Sequence, residues 1–260
     1  MTAEYLENLF GLAGQVAVVV GGTGVLGGAL AEGLAQAGAT VVVAGNSESR
    51  GRNCVERIEQ SDGRAMFLPV DVARRESIEG LLGATLAEFG QVDMLVNCAG
   101  VNSAAAYLEA RDEDWQRVID INLRGTHWGC QVFGTWMAAS GGGSILNIAS
   151  VTAHTPLSRV FAYSASKAAV VNLTQNIARE LAAQRVRVNA LCPGFFPAEQ
   201  NRAILDEART ASIMSQTPMA RFGEPSELVG AALLLLSQKA GSFITGATLY
   251  VDGGFTAMRF

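Results

Sequence analysis

Scarcity of metal-binding and cationic residues narrows the reading first. There are only two histidines, His127 and His154, and the four cysteines (Cys54, Cys98, Cys130, Cys192) include no C-x-x-C pair. No short-range ligand pattern for a metal exists, so the expectation is a metal-free cytoplasmic protein with reduced thiols. Lysine is limited to Lys167 and Lys239, and the formal charge of -5 with a pI near 5.2 offers no electrostatic footprint for nucleic acid. No Lys or Arg precedes Arg50, while Glu4 and Glu7 sit where a secretory leader is positive, so export is not expected. Residues 8–31 carry no charge, but seven of these 24 are glycine and Asn8, Gln15 and Thr23 interrupt the run, which is too broken for a membrane span. No Pro/Ser-rich stretch, repeat or charge block divides the chain, so residues 1–260 read as one domain.

What is present is a regular alternation. Short apolar, β-branched runs near 16–20, 40–44, 65–69, 93–96, 143–148, 187–191 and 247–251 read as strands. Longer amphipathic segments near 25–37, 48–60, 75–88, 113–138, 161–184, 199–213 and 225–237 read as helices. Repeated βαβ units predict an α/β fold, a doubly wound, seven-stranded parallel sheet with helices on both faces. Gly38, Gly63 and Gly90 follow proposed helices, where left-handed C-caps need glycine. Residues 193–222 are the irregular part, expected as a mobile substrate-side segment.

Between the first strand and first helix lies Gly21-Gly22-Thr23-Gly24-Val25-Leu26-Gly27-Gly28. Glycines there let the backbone approach a pyrophosphate, whose charge the helix N-terminal amides receive. Alone, such a turn is equally a tight bend in a glycine-rich chain. Asp71-Val72 after the third strand and Asn97-Cys98-Ala99-Gly100 after the fourth add residues at the carboxyl edge, where ligands sit in open α/β sheets. Asp71 reads as either a site residue or a turn cap, and Asn97 as either a site residue or a turn-stabilising amide.

Tyr163 and Lys167 are four apart, on one face of a helix. A free phenol has a pKa of about 10, and an ammonium about 4 Å away favours phenolate, so the pair can exchange protons near neutral pH. Ser150 ends the apolar run Ile145 to Ala149, placed to donate to a carbonyl oxygen that gains negative charge. Asn122, in an apolar helix stretch, needs a water or backbone partner. Taken singly these are a surface pair, a helix cap and a buried amide; together they form a reacting constellation.

These residues, with Pro193-Gly194 and Tyr250-Val251-Asp252-Gly253-Gly254, resemble the single-domain branch of the short-chain dehydrogenases/reductases over nearly the whole chain. The resemblance implies a Rossmann-type fold and hydride transfer between NADP or NAD and a carbonyl or secondary alcohol. It assigns Tyr163 as acid/base, Lys167 as the group that lowers its pKa and holds the nicotinamide ribose, Ser150 as carbonyl donor and Asn122 as anchor of a relay water. It further implies cofactor contacts from Gly21, Thr23, Gly24, Val25, Leu26, Gly27, Asn46, Ser47, Arg50, Asp71, Val72, Asn97, Ala99, Gly100, Pro193, Gly194 and Phe196. A homodimer or homotetramer through helices 113–138 and 161–184 is implied as well. Three positions depart from the branch: Val25 stands for its middle glycine with Gly24 one place early, Val20 for a threonine, and Ala198 for a nicotinamide-contacting threonine.

The second strand ends in Ala44-Gly45-Asn46-Ser47, without the acidic residue that excludes a ribose phosphate, and Arg50 or Arg52 can supply charge. This favours NADP slightly over NAD. The stretch Pro193 to Arg202 is similar to that of sugar-acid enzymes of the fructuronate/mannonate type. Gln200, Asn201 and Arg202 suit a polyhydroxylated acid, with Arg159 a second anion contact; a solvated helix face explains Arg202 equally well. Two other readings are a non-catalytic dinucleotide-binding regulator and an epimerase or dehydratase of the extended branch, whose G-x-x-G-x-x-G spacing fits Gly21, Gly24 and Gly27. The reacting residues argue against the first, and the short chain after Lys167 against the second.

Overall fold

The computed structural model describes residues 2–196 and 207–257. Each β-branched run forms a strand: β1 (Val16–Val20), β2 (Thr40–Gly45), β3 (Arg64–Pro69), β4 (Met94–Asn97), β5 (Gly143–Ile148), β6 (Val186–Pro193) and β7 (Thr248–Val251). All neighbours pair in parallel, in the order β3-β2-β1-β4-β5-β6-β7. Chain order reverses between β1 and β4, which opens a crevice at their carboxyl ends.

Both sheet faces are covered, and this is why β1 is apolar at every residue rather than at every second one. Ala17 and Val19 pack in a core with Leu30 and Leu34 of α2 (Val25–Gln36), Cys54 and Ile58 of α3 (Glu48–Glu59) and Leu235 of the C-terminal helix Val229–Leu236. Val18 and Val20 face the opposite core, with Ile78 and Leu81 of α4 (Arg75–Phe89) and Phe133 and Met137 of the helix Gly125–Ala139.

The expected helix 113–138 is helical throughout but not uniform. Helix α5 (Asp112–Ile119) and helix α6 (Gly125–Ala139) are joined by one π-helical turn, Asp120–Arg124. Helix α7 (Phe161–Leu181) continues as a 3-10 turn to Gln184, and the 3-10 turn Pro225–Leu228 leads into the helix Val229–Leu236. The expected helix 199–213 lies outside the described residues up to 206; its described part is α8 (Glu207–Gln216), three residues longer, and we number the last helix α9. An N-terminal helix α1 (Ala3–Phe10), capped by Thr2, was not expected from the apolar pattern because none of its residues is buried.

Gly38 and Gly90 adopt positive φ as expected, but Gly63 does not; Asp62, with φ 58, takes the left-handed position after α3. Gly63 is needed for space instead, since a Cβ there would lie 2.7 Å from the Ile58 Cγ2 atom.

Candidate active site

A cleft of about 410 Å³ runs along the carboxyl ends of β1, β2, β4, β5 and β6. Its floor begins at the glycine turn. Gly21, φ +86, abuts the backbone of Cys98 and Ala99 across the crevice, and a Cβ at Gly27 would run into the Gly21 carbonyl oxygen. The spacing that matters sterically is therefore Gly21 and Gly27, with Gly24 as the N-cap of α2; Val25 in place of a glycine leaves that packing intact. Gly24 offers no side-chain cap, so first-turn amides of α2 face the cleft, as an anion requires. Glycine at both positions lets the turn close against its neighbours, and the uncapped α2 N-terminus it exposes fits a dinucleotide pyrophosphate.

Of the expected cofactor contacts, Gly21, Thr23, Gly24, Val25, Leu26, Gly27, Asn46, Arg50, Asp71, Val72, Ala99, Gly100, Pro193, Gly194 and Phe196 all line the cleft. Asp71 also closes a turn, its Oδ1 accepting from the Ala73 N–H at 3.0 Å.

Asn97 is a correction. Its side chain is buried beneath the sheet edge, where Nδ2 donates to Asn147 Oδ1 at 2.9 Å and Gly129 leaves room for its oxygen. Asn147 in turn donates to Thr174 on α7 at 2.9 Å, a polar chain that satisfies buried amides and does not reach the cleft. Cys98, its neighbour, lines the cleft instead. Ser47 is a second correction: it precedes α3 and is not among the lining residues. Arg52 is held by Glu48 at 2.6 Å on the exposed face of α3, which leaves Arg50 as the cation at this end of the cleft.

The reacting residues come together. Ser150 follows β5, lines the cleft and caps a 3-10 turn, accepting from the Thr152 N–H at 3.2 Å. Its side chain adjoins that of Tyr163, which lines the cleft as well. Lys167 is 4% exposed; its Nζ donates to the Ile148 carbonyl at 2.7 Å and stands 5.6 Å from the Tyr163 ring centroid. Burial drops this ammonium to about 8. Burial also pushes the Tyr163 phenol above its ordinary value, with the adjoining Ser150 pulling it back. The expected depression of the phenol by Lys167 is thus replaced by desolvation, because the ammonium sits beneath the ring and bonds a carbonyl rather than the phenol oxygen.

Asn122 occupies the π turn and is fully buried. Its Oδ1 accepts from the Val101 N–H at 2.8 Å, and its Nδ2 donates to the Val101 carbonyl at 2.9 Å and to Ser166 Oγ at 3.1 Å. Both N–H groups are used, one on the Val101 carbonyl and one on the Ser166 hydroxyl. Ser166, which the sequence reading passed over, donates onward to the Tyr163 carbonyl at 2.7 Å. The signal was there in Tyr-Ser-Ala-Ser-Lys: a serine one residue before Lys167 lies on the same buried flank of α7.

Pro197, Ala198, Glu199, Gln200, Asn201 and Arg202 lie outside the described residues. Arg159 is exposed and does not line the cleft, whereas Arg209 of α8, unforeseen, does. Among the described residues no group of His, Cys, Asp and Glu could hold a metal, and no helix is long and apolar enough to cross a membrane.

Comparison with known proteins agrees with this geometry. A family model described as enoyl-(acyl carrier protein) reductase matches residues 23–256. The chain is 34% identical to the 5-keto-D-gluconate 5-reductase of Escherichia coli K12 over 250 residues, covering 96% of this chain and 98% of that protein. It is 36% identical to the 2-dehydro-3-deoxy-D-gluconate 5-dehydrogenase of the same strain over 252 residues, with the same coverage. A crystal structure of a gluconate 5-dehydrogenase from Burkholderia cenocepacia, in complex with NADP and tartrate, superposes with a TM-score of 0.93 at 33% identity, covering 98% of this chain and 100% of that one.

Proposed function

Because the chain belongs to the short-chain dehydrogenase/reductase family, we propose that Tyr163, Ser150 and Lys167 are its reacting centre and that it interconverts the keto and secondary-hydroxyl forms of a sugar acid, with NADP preferred. The chain is an NAD(P)-dependent oxidoreductase acting on a CH–OH group. The observation that carries the proposal is that Ser150, Tyr163 and the buried Lys167, 5.6 Å from the Tyr163 ring centroid, line the same cleft as the glycine turn. The names of two relatives, both describing chemistry at position 5 of a gluconate-type acid, support the substrate class.

A bound nicotinamide dinucleotide supplies the hydride donor or acceptor. The turn at Gly21 and Gly27 and the α2 N-terminus would hold its pyrophosphate, and Asn46 and Arg50 would hold the adenosine ribose. Lys167 spends one of three N–H donors on Ile148 and can turn the others toward the nicotinamide ribose. In reduction, the Tyr163 hydroxyl gives its proton to the substrate oxygen while the Ser150 hydroxyl donates a hydrogen bond to it; in oxidation the same proton returns to Tyr163. Asn122 positions: its amide fixes Val101 beside the cleft and, through Ser166, the first turn of α7.

The test is absorbance at 340 nm over keto acids, aldonates, polyols and apolar ketones with both cofactors. Sugar acids with NADP are expected to turn over best. Better turnover of apolar ketones than of any polyol or sugar acid overturns the substrate class.

The four free thiols support placement in the cytoplasm, and Pro193, Gly194, Phe195, Phe196 and Arg209, which line the cleft, support a substrate-side role for the described parts of 193–222. Assembly as a dimer or tetramer is supported by the exposure of Tyr107 and Leu108, on the 3-10 turn before α5, and of Trp115 on α5, and is read by light scattering in solution.

A further inference from the structure

The loop after β4 meets the reacting centre at Gly100. A Cβ on that residue would stand 3.6 Å from Lys167 Nζ and 3.4 Å from Asn122 Oδ1. Two residues on, Asn102 lines the same cleft as Ser150, Tyr163 and Lys167. Among the described residues two amide side chains line this cleft: Asn46 follows β2 at the adenosine end, and Asn102 belongs to the stretch beside the ammonium.

Asn102 is held on both its backbone and its side chain. Asn122 grips the preceding residue, Val101, by its N–H at 2.8 Å and its carbonyl at 2.9 Å, and Arg117 Nη2 of α5 donates to the Asn102 carbonyl at 3.2 Å. The Asn102 Oδ1 accepts from the Ser103 N–H at 2.8 Å, which fixes the plane and sense of the amide. Its nitrogen therefore points away from the loop backbone with two donors to offer. Among the described residues Asn102 Nδ2 has no partner, and it is not one of the atoms shut off from solvent. A neutral donor fixed in a cleft wall brings no charge to draw an anion, so the oxygen of an alcohol is a fitting partner. A site built to hydrogen-bond a substrate hydroxyl discriminates strongly against analogues that lack it.

We propose that Asn102 is a specificity-determining residue that reads the hydroxylated chain of the substrate, its Nδ2 donating to a hydroxyl oxygen near the carbon that Tyr163 serves. This rests on the sugar-acid reading above and goes beyond it by naming the group that selects a hydroxylated over a plain ketone.

The test compares wild type, Asn102→Asp and Asn102→Leu. Asp keeps the oxygen that serves the Ser103 N–H and replaces the donor by an acceptor, whereas Leu removes both. Binding of D-sorbitol, a neutral polyol, to each NADPH-loaded protein is measured by calorimetry, in a complex where reduced cofactor and alcohol cannot react. Turnover is compared on 1-hydroxy-2-butanone and 2-butanone, which differ by the hydroxyl alone. Both variants are expected to bind sorbitol about fivefold more weakly than wild type, the loss that one neutral hydrogen bond carries. The ratio of kcat/KM for the hydroxylated over the plain ketone should fall by a similar factor, chiefly through KM, while NADPH affinity in Asn102→Leu stays within about twofold of wild type. A role confined to shaping the loop leaves Asn102→Asp binding sorbitol as wild type does, which overturns the proposal. So does sorbitol binding that is absent in wild type, or NADPH affinity that falls in Asn102→Leu as far as sorbitol affinity does. If wild type turns over apolar ketones better than any polyol or sugar acid, the substrate reading falls; weakened sorbitol binding in Asn102→Asp then still sustains Asn102 as a hydroxyl-binding donor.

Discussion

The Asn122 amide donates to the Ser166 hydroxyl at 3.1 Å, and through that hydroxyl the π turn between α5 and α6 is coupled to the backbone of Tyr163. π turns recur at functional sites because they turn a side chain out of the regular helical register. Here the turn presents Asn122 to two elements at once, the loop at Val101 and the first turn of α7.

Ser166→Ala removes the donor to the Tyr163 carbonyl and one acceptor of Asn122 while adding no bulk. A buried hydrogen bond of this kind is worth about 1 kcal/mol, and a stranded amide proton costs about 1–3 kcal/mol. We expect a lower melting temperature and a fall of kcat larger than the change in KM, because Tyr163 is held less firmly. Asn122→Ala strands both polar groups of Val101 as well and should be the more damaging of the two. Thermal melts and steady-state kinetics on both variants decide this; equal kcat in Ser166→Ala and wild type removes the positioning role.

The Tyr163 phenol is raised by burial and pulled back by Ser150. A raised pKa keeps the phenol protonated, which suits it to give a proton in reduction, whereas oxidation needs it ionised. Oxidative kcat/KM should therefore climb with pH through the neutral and mildly alkaline range while reductive kcat/KM does not. Ser150→Ala removes the group that lowers the phenol, so the oxidative limb should move to higher pH; a shift to lower pH contradicts the assignment. Tyr163→Phe should nearly abolish both directions and leave dinucleotide affinity within a few-fold.

Lys167 carries its functional charge at a cost. Its pKa is about 8 in the fold against 10.5 ordinarily, so the folded state gives up the proton first. Between those values the unfolded chain binds more protons and stability rises with pH; below about 8 the whole penalty of burying the ammonium is present. A gap of this size corresponds to about 3 kcal/mol. Relative to Lys167→Met, wild type should gain stability as pH rises from 8 toward 10.5, measured by denaturant unfolding at fixed ionic strength. A stability difference that stays constant over that window refutes the buried charge.

The sheet was legible because period and composition carry it: seven β-branched runs became seven strands with ends displaced by at most about two residues. Tyr163, Lys167 and Ser150 were legible because helix spacing and strand-end position bring them together by local geometry. Asn97 was misplaced because a strand end supplies two faces, and sequence does not say which one an amide takes; pairing with Asn147 and Thr174 turned it inward. The phenol's direction of shift was missed for a related reason. Four-residue spacing predicts that Tyr163 and Lys167 are neighbours, but not that the ammonium prefers the Ile148 carbonyl. Arg209 lay beyond reach because its approach to Ser158 spans 51 residues.

Cofactor choice follows from the end of β2. No carboxylate opposes a ribose phosphate there, and with Arg52 occupied by Glu48, Arg50 is the cation that lines this end. An exposed ion pair is worth up to about 1 kcal/mol, so Arg50→Ala should weaken NADP binding by a few-fold and NAD binding hardly at all. The reverse change is harder to make than the sequence suggests. A Cβ at Gly45 would stand 2.5 Å from Thr23 Oγ1 and 2.7 Å from its Cγ2, so Gly45→Asp introduces the discriminating carboxylate only by displacing a residue of the phosphate turn. We expect Gly45→Asp alone to lower affinity for both cofactors, and Gly45→Asp with Thr23→Ala, which removes both obstructing atoms, to recover NAD but not NADP. Fluorescence titration with NADH and NADPH measures both. Recovery of NADPH binding in the double variant would show that the phosphate is read elsewhere than at β2.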